Sequence, residues 1–136
     1  MAHAKFPTKI LTPDGEVFSG DVEMVSTRTT LGLISILARH SPLLGTLEPT
    51  ELRLHKGEGE IARYAQSEGY LQVGGNEALL LVEEVHPVEK LDTEDLRKRL
   101  REAEEAIAGS AEGTESHRAA VQDKHRWEVF LKIAES

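Results

Sequence analysis

The chain has 136 residues, 39% of them apolar, and 24 acidic against 16 basic side chains give it a formal net charge of −8 at pH 7. That balance argues against the counterion-displacing basic surface that nucleic acid requires, and against electrostatic docking on anionic lipid. The absence of cysteine excludes disulfides, thiolate zinc sites and a cysteine nucleophile, while six aromatic side chains leave a core that must be mainly aliphatic.

Residues 1–9 carry no apolar run of signal-peptide length, and nowhere do roughly 18 apolar residues follow one another, so no membrane insertion is expected. Pro13-Asp14-Gly15 and Ser19-Gly20-Asp21 bracket Glu16-Val17-Phe18 as turns around a short strand, and Val22–Thr27 reads as the next strand. Leu33-Ile34-Ser35-Ile36-Leu37 and Ala78-Leu79-Leu80-Leu81-Val82 are continuous enough to predict core strands. Glu51 to Lys56 alternates polar with apolar, turns at Gly57-Glu58-Gly59 and returns through Glu60–Gln66 as a hairpin. Gly69–Val73, Gly74-Gly75-Asn76 and Ala78–Val85 predict a second one. Many short strands at this spacing predict a β-sandwich or barrel.

The grammar changes at Pro87. All five prolines and nine of the eleven glycines lie at or before it, so two domains are expected, 1–87 as β-sandwich and 88–136 as an α-helical hairpin. Asp92 or Thr93 is placed to cap a helix whose first turn holds Glu94 and Asp95. Leu96, Leu100, Ala103 and Ile107 form one narrow apolar stripe, and Glu94–Lys98, Asp95–Arg99 and Lys98–Glu102 have i,i+4 spacing. Residues 108–113 predict a loop, and a second helix follows over about 115–134, its stripe strongest at Trp127, Phe130, Leu131 and Ala134. Two helices with such thin stripes are marginal alone, so the hairpin is expected to rest on another surface and to exchange it readily.

Chemistry is sparse. His117 and His125 are eight apart, outside the i,i+4 spacing of a helical metal pair, and the other histidines read as solvated surface residues. No Gly-x-Ser-x-Gly elbow occurs, and no serine has an evident base beside it. Gly74-Gly75 lacks the Gly-Lys-Ser/Thr of a phosphate loop. No cofactor, metal site or catalytic residue is therefore expected. The basic run Arg97-Lys98-Arg99-Arg101 fits a salt-bridged helix face and a partner-binding face equally well.

Three segments are more specific. Ile10-Leu11-Thr12-Pro13-Asp14-Gly15-Glu16-Val17-Phe18-Ser19-Gly20-Asp21-Val22-Glu23 resembles the opening of the epsilon subunits of F-type ATP synthases. Gly32-Leu33-Ile34-Ser35-Ile36-Leu37-Ala38-Arg39-His40-Ser41-Pro42-Leu43-Leu44 resembles that family's Gly-x-hydrophobic-Gly-Ile-x-x-x-His-x-Pro-Leu segment. Ser67-Glu68-Gly69-Tyr70-Leu71-Gln72-Val73 continues the likeness, and the charged hairpin from Asp92 is similar to the C-terminal domain. Residues 27–40 are closest to actinobacterial members.

The resemblance implies a non-catalytic rotor subunit, peripheral on the cytoplasmic face of the bacterial plasma membrane. Its sandwich would hold the gamma subunit and touch the c-subunit ring, through residues such as Leu33, Arg39 and His40. Its hairpin would extend into the alpha/beta catalytic head and hinder ATP hydrolysis. There Arg97, Lys98, Arg99 and Arg101 would meet acidic segments of beta, with Arg118, Lys124 and Arg126 as further contacts. Departures from the pattern bear on these contacts. Leu33 stands where an acidic residue often faces the ring, Ser35 replaces a glycine, Ala38-Arg39 replace Pro-Gly, and Ser67-Glu68-Gly69 stands for Ser-Gly-Gly. The nucleotide motif of some members, hydrophobic-Asp-x-x-Arg-Ala, meets Thr93 to Lys98 with its arginine at Arg97, Glu94 for the aspartate and Lys98 for the alanine. Glu94, Arg97 and Arg126 are the residues such a site would use. The alternative reading is accordingly a nucleotide-sensing module of sandwich and helical hairpin.

Overall fold

The computed structural model describes residues 3–136 and divides them between two compact units that meet in sequence at Pro87 and Val88. The first contains ten strands: β1 (Phe6–Thr12), β2 (Gly15–Val22), β3 (Met24–Thr29), β4 (Gly32–Leu37), β5 (Leu43–Leu47), β6 (Thr50–Gly57), β7 (Glu60–Gln66), β8 (Gly69–Gly74), β9 (Glu77–Val82) and β10 (Val85–Pro87). They form one sheet in the order β10-β7-β6-β3-β5-β8-β9-β1-β2, with β4 paired to β3. All pairs are antiparallel except β1 with β9. β2 also packs against β6, where the Lys56 ammonium sits 5.4 Å from the Phe18 ring centroid. The sheet thus folds over its own apolar face as a β-sandwich, the architecture expected.

Turn chemistry explains several hairpins. Gly75 (φ 57°) and Asn76 (φ 61°) form a two-residue connection with both residues left-handed, the geometry that matches strand twist. Gly57-Glu58-Gly59 turns with all three residues at positive φ. Ser19-Gly20-Asp21 is not a turn: these residues pair with Lys9, Thr8 and Pro7 inside β2. The glycine there serves packing, since a Cβ at residue 20 would sit 3.2 Å from Phe18 Cζ. The strand expected over 22–27 is broken at Glu23, whose N–H donates to the His55 carbonyl at 2.6 Å.

The core between the sheet faces is aliphatic, with Ile10, Val25, Ile36, Leu54, Leu71 and Leu80 fully buried around Phe6. One polar network crosses it. Thr27 Oγ1 donates to Gln66 Oε1 at 2.6 Å, and Gln66 Nε2 donates to the Glu48 carbonyl at 2.8 Å. Every polar atom of the fully buried Gln66 side chain therefore has a partner, as burial demands.

The second unit opens with a 3-10 turn at Val88–Lys90 and holds α1 (Thr93–Ala108) and α2 (Glu115–Glu135) packed on each other. Asp92 caps α1, its Oδ1 accepting from the N–H groups of Glu94 (3.0 Å) and Asp95 (3.3 Å). Thr114 caps α2 through the N–H of His117 at 3.2 Å. Leu96 and Ala103 are buried from α1, and Ala120, Trp127, Phe130 and Ile133 from α2. The stripe of α2 is thus rotated from the expected Leu131 and Ala134, both of which are only half-buried.

Candidate interaction surfaces

The strand pairing carries a surface that alternation alone does not display. Register places Thr46, Tyr70, Leu81 and Leu11 side by side across β5, β8, β9 and β1, and Leu44, Gln72, Leu79 and Lys9 in the adjoining row. Both rows face away from the core. Leu44 is 76% exposed and Tyr70 61%, far beyond what a core strand tolerates. The run Ala78–Val82 is therefore not wholly a core strand, because Leu79 and Leu81 lie on the outside while Ala78, Leu80 and Val82 are buried. A shallow groove of about 360 Å³ crosses this face between Pro7, Lys9, Leu11, Gln72, Glu77 and Leu79. A contiguous exposed apolar patch of this kind marks a docking surface. The signal lay in the sequence as apolar residues on both parities of β9 and at Leu43-Leu44; the register of four strands was needed to see it.

The residues expected to contact partners fall elsewhere. Leu33 opens the exposed side of β4 at 74% exposure, next to a fully solvated Leu31 at the β3–β4 turn. Arg39 lies in the β4–β5 connection at φ 64°, a left-handed conformation for a residue that replaces a glycine of the family pattern. Its N–H donates to Asn76 Oδ1 at 2.7 Å, tying that connection to the β8–β9 turn. His40 is half-buried, its Nδ1 2.7 Å from the Ser41 carbonyl. Arg39→Gly is expected to raise stability by about 0.5–1 kcal/mol by relieving the left-handed strain. Urea unfolding measures this, and a loss of stability would show that the chain entropy a glycine adds to the unfolded state outweighs the strain relieved, since the N–H bond to Asn76 is kept.

On α1 the basic run divides. Arg97 Nη2 donates to Glu135 Oε1 at 2.9 Å, and Arg97, Lys98 and Arg101 line a groove with Asp92, Glu94 and Asp95. Arg99 turns instead to Asp95 Oδ2 (2.9 Å) and lies with its guanidinium carbon 4.9 Å from the Trp127 centroid. On α2, Arg118 Nη1 donates to the Gly113 carbonyl at 2.9 Å, Lys124 is half-buried, and Arg126 pairs with Asp123 at 3.4 Å. Arg126 lines neither groove that borders the basic run, whereas Glu94 and Arg97 share one. It stands nine residues before Arg97's partner Glu135, about 13 Å along the helix axis.

The sheet carries a separate ion cluster: Glu51 accepts from Arg53 and, through both oxygens, from Arg63 at 2.7 and 3.1 Å. The Arg63 hydrogen bonds, aided by Arg53, hold its carboxyl below the usual carboxylate range.

One serine does meet a histidine, contrary to expectation: His117 Nδ1 lies 3.1 Å from Ser110 Oγ. Ser110 Oγ also lies 2.7 Å from the Ala106 carbonyl, so its proton goes to the last turn of α1. The pair closes the interhelical loop and is not poised as a nucleophile and base. Among the described residues no group of three or more His, Asp or Glu is arranged to hold a metal, and no helix is long and apolar enough to cross a membrane.

Comparison with known proteins bears on the family and the fold. Residues 5–88 match the family model described as ATP synthase, Delta/Epsilon chain, beta-sandwich domain. The chain is 32% identical over 125 residues to the ATP synthase epsilon chain of Sulfurihydrogenibium sp., covering 92% of this chain and 93% of that one. It is 35% identical over 133 residues to the epsilon chain of Persephonella marina, with 95% and 96% covered. Its fold is similar to a chain of the Euglena gracilis mitochondrial ATP synthase in a complex of OSCP, F1 and c-ring, with a TM-score of 0.81 at 22% identity, over 100% of this chain and 84% of that one.

Proposed function

The chain belongs to the ATP synthase delta/epsilon family, and from that premise we propose that it is a non-catalytic central-stalk subunit whose two units divide the work. Residues 3–87 act as a rigid adaptor between the gamma subunit and the c ring, and residues 88–136 as a mobile element that restrains ATP hydrolysis when it extends into the alpha/beta head. The complex would sit on the cytoplasmic face of a bacterial plasma membrane.

The observation that carries this reading is the outward apolar face of β5, β8, β9 and β1. Torque passes only through a contact that does not slip, and Leu44, Tyr70, Leu79 and Leu81 supply the dry centre that such a contact needs, with Lys9 and Glu77 at its rim. The β3–β4 turn is a second exposed apolar point. Leu31 and Leu33 would make a ring contact there through apolar side chains, where family members often place an acid. The helices support the regulatory half of the reading. Each presents a narrow buried stripe, four residues in α2 and two in α1, so their closed state holds little surplus stability.

Deleting residues 88–136 from the subunit in the assembled enzyme tests the regulatory half. Assembly should persist and ATP hydrolysis should rise, by up to about tenfold if the hairpin's two states lie within 1.4 kcal/mol. A truncated complex that hydrolyses ATP no faster than the full one would remove the inhibitory role and leave the adaptor.

A further inference from the structure

Trp127, the only tryptophan, is 8% exposed and its ring meets two guanidinium groups and a phenyl ring. The guanidinium carbon of Arg99 lies 4.9 Å from its ring centroid, that of Arg126 lies 5.3 Å away, and Phe130 meets it edge-on at 5.7 Å. Each guanidinium is held by a carboxylate of its own helix, Arg99 by Asp95 and Arg126 by Asp123. The arrangement is not symmetric between the helices. Arg126 and Phe130 share α2 with the indole, whereas Arg99 reaches it from α1.

That difference decides which contact can control the hairpin. A contact kept in both of two states cannot shift the balance between them; only one made in a single state can. Arg126 and Phe130 travel with Trp127 when α1 and α2 part, and Arg99 does not. An ionic link between the helices, Arg97 with Glu135, joins side chains 52% and 48% exposed, where solvent screens most of its worth. Arg99 is itself 45% exposed, but the tryptophan it covers is 8% exposed, so one side of this contact is dry and, the indole being the strongest aromatic partner, it keeps more of its attraction.

We propose that Arg99 and Trp127 form the catch that sets how readily α1 separates from α2, with Asp95 holding the guanidinium over the ring. Arg99 is thus a regulatory positioning residue, distinct in role from its neighbours Arg97, Lys98 and Arg101. The consequence for the enzyme rests on the hairpin function proposed above; the catch itself does not.

The full-length chain allows the two to be tested apart. Arg99→Gln should speed amide hydrogen exchange along 93–108 and 115–135 by about three- to tenfold and make Trp127 more accessible to acrylamide. Amides of β6 and β8 should be unchanged. Arg99→Lys, which keeps a cation within reach of the ring, should restore most of the protection. Arg101→Gln removes the same charge from the same helix and should alter exchange less than twofold. In a Trp127→Leu background, Arg99→Gln should add nothing further, the signature of a contact between those two side chains. Equal effects of the Arg99 and Arg101 variants, or an undiminished effect of Arg99→Gln without the tryptophan, would overturn the catch. In the assembled enzyme, Arg99→Gln should lower ATP hydrolysis relative to Arg101→Gln. Should exchange respond while hydrolysis does not, the catch stands and the inhibitory function falls.

Discussion

Replacing Gly69 with alanine is expected to destabilise the sandwich by about 3–4 kcal/mol or more, lowering its melting temperature by roughly 15–25 °C. Gly69 sits where β8 pairs at once with β5 and β9, opposite Leu47 and Val82. A Cβ there would lie 2.0 Å from the carbonyl oxygen of Leu81 and 2.8 Å from Val82 Cα. Neither is the end of a flexible side chain, so relief requires moving backbone by about an ångström or more in a close-packed interior. The neighbourhood resists that movement: Ser67 N–H donates to the Glu84 carbonyl at 2.9 Å, Ser67 Oγ accepts from Glu84 N–H at 2.8 Å, and Gln66 and Ser67 are fully buried. Gly74 is the control, since a Cβ there meets nothing within 4 Å. Gly74→Ala should change stability by less than about 1 kcal/mol. Similar urea midpoints for the two variants would show that β8 and β9 do not approach so closely.

Gly69 also shows what a sequence pattern can and cannot carry. The resemblance put a glycine pair after the serine, and here only the second glycine remains, with Glu68 in place of the first. The packing gives the reason: residue 69 has no room for a side chain, whereas Glu68 is only half-buried and has room for one. The same kind of divergence at Arg39 has the opposite consequence, since there the left-handed backbone persists and the glycine does not. Local rules found the hairpins at 57–59 and 74–76, the Asp92 cap and the Asp95–Arg99 pair, because each depends on residues within four positions of one another. They misread Ser19-Gly20-Asp21 because pairing with β1, ten or more residues away, outweighs the turn preference of glycine. They also missed Arg99 over Trp127, two residues 28 apart that only the antiparallel packing of α1 on α2 brings together. The docking face was hidden for a related reason. A continuous apolar run looks the same whether both faces of the strand are buried in one chain or one face waits for another.

That last ambiguity yields the second large effect. Leu44→Asp combined with Leu81→Asp should leave the isolated chain folded and weaken its association with the gamma subunit by at least about a hundredfold, roughly 2.7 kcal/mol. Folding should survive because both side chains point outward, at 76% and 41% exposure, and so contribute little to the core. Association should fail because each carboxylate would enter the dry centre of the contact, where an unpaired charge costs several kcal/mol. The two positions lie in adjoining rows of the sheet, with Tyr70 beside Leu81 and Gln72 between Leu44 and Leu79, so the pair spans the patch. Lys9→Glu at its rim is the comparison. A rim charge should act mainly on association rate and salt dependence, with little change in the dissociation rate. Circular dichroism checks the fold, and co-purification with gamma followed by surface binding kinetics checks the contact. If the doubly substituted chain bound gamma as tightly as the parent, the adaptor contact would have to lie on another face. Leu31 and Leu33 at the β3–β4 turn would then be the next exposed apolar surface to substitute. If the rim and centre substitutions instead weakened binding equally, the contact would be electrostatic in origin. This face would then not transmit torque, because a screened ionic contact between exposed side chains holds too weakly to resist slip.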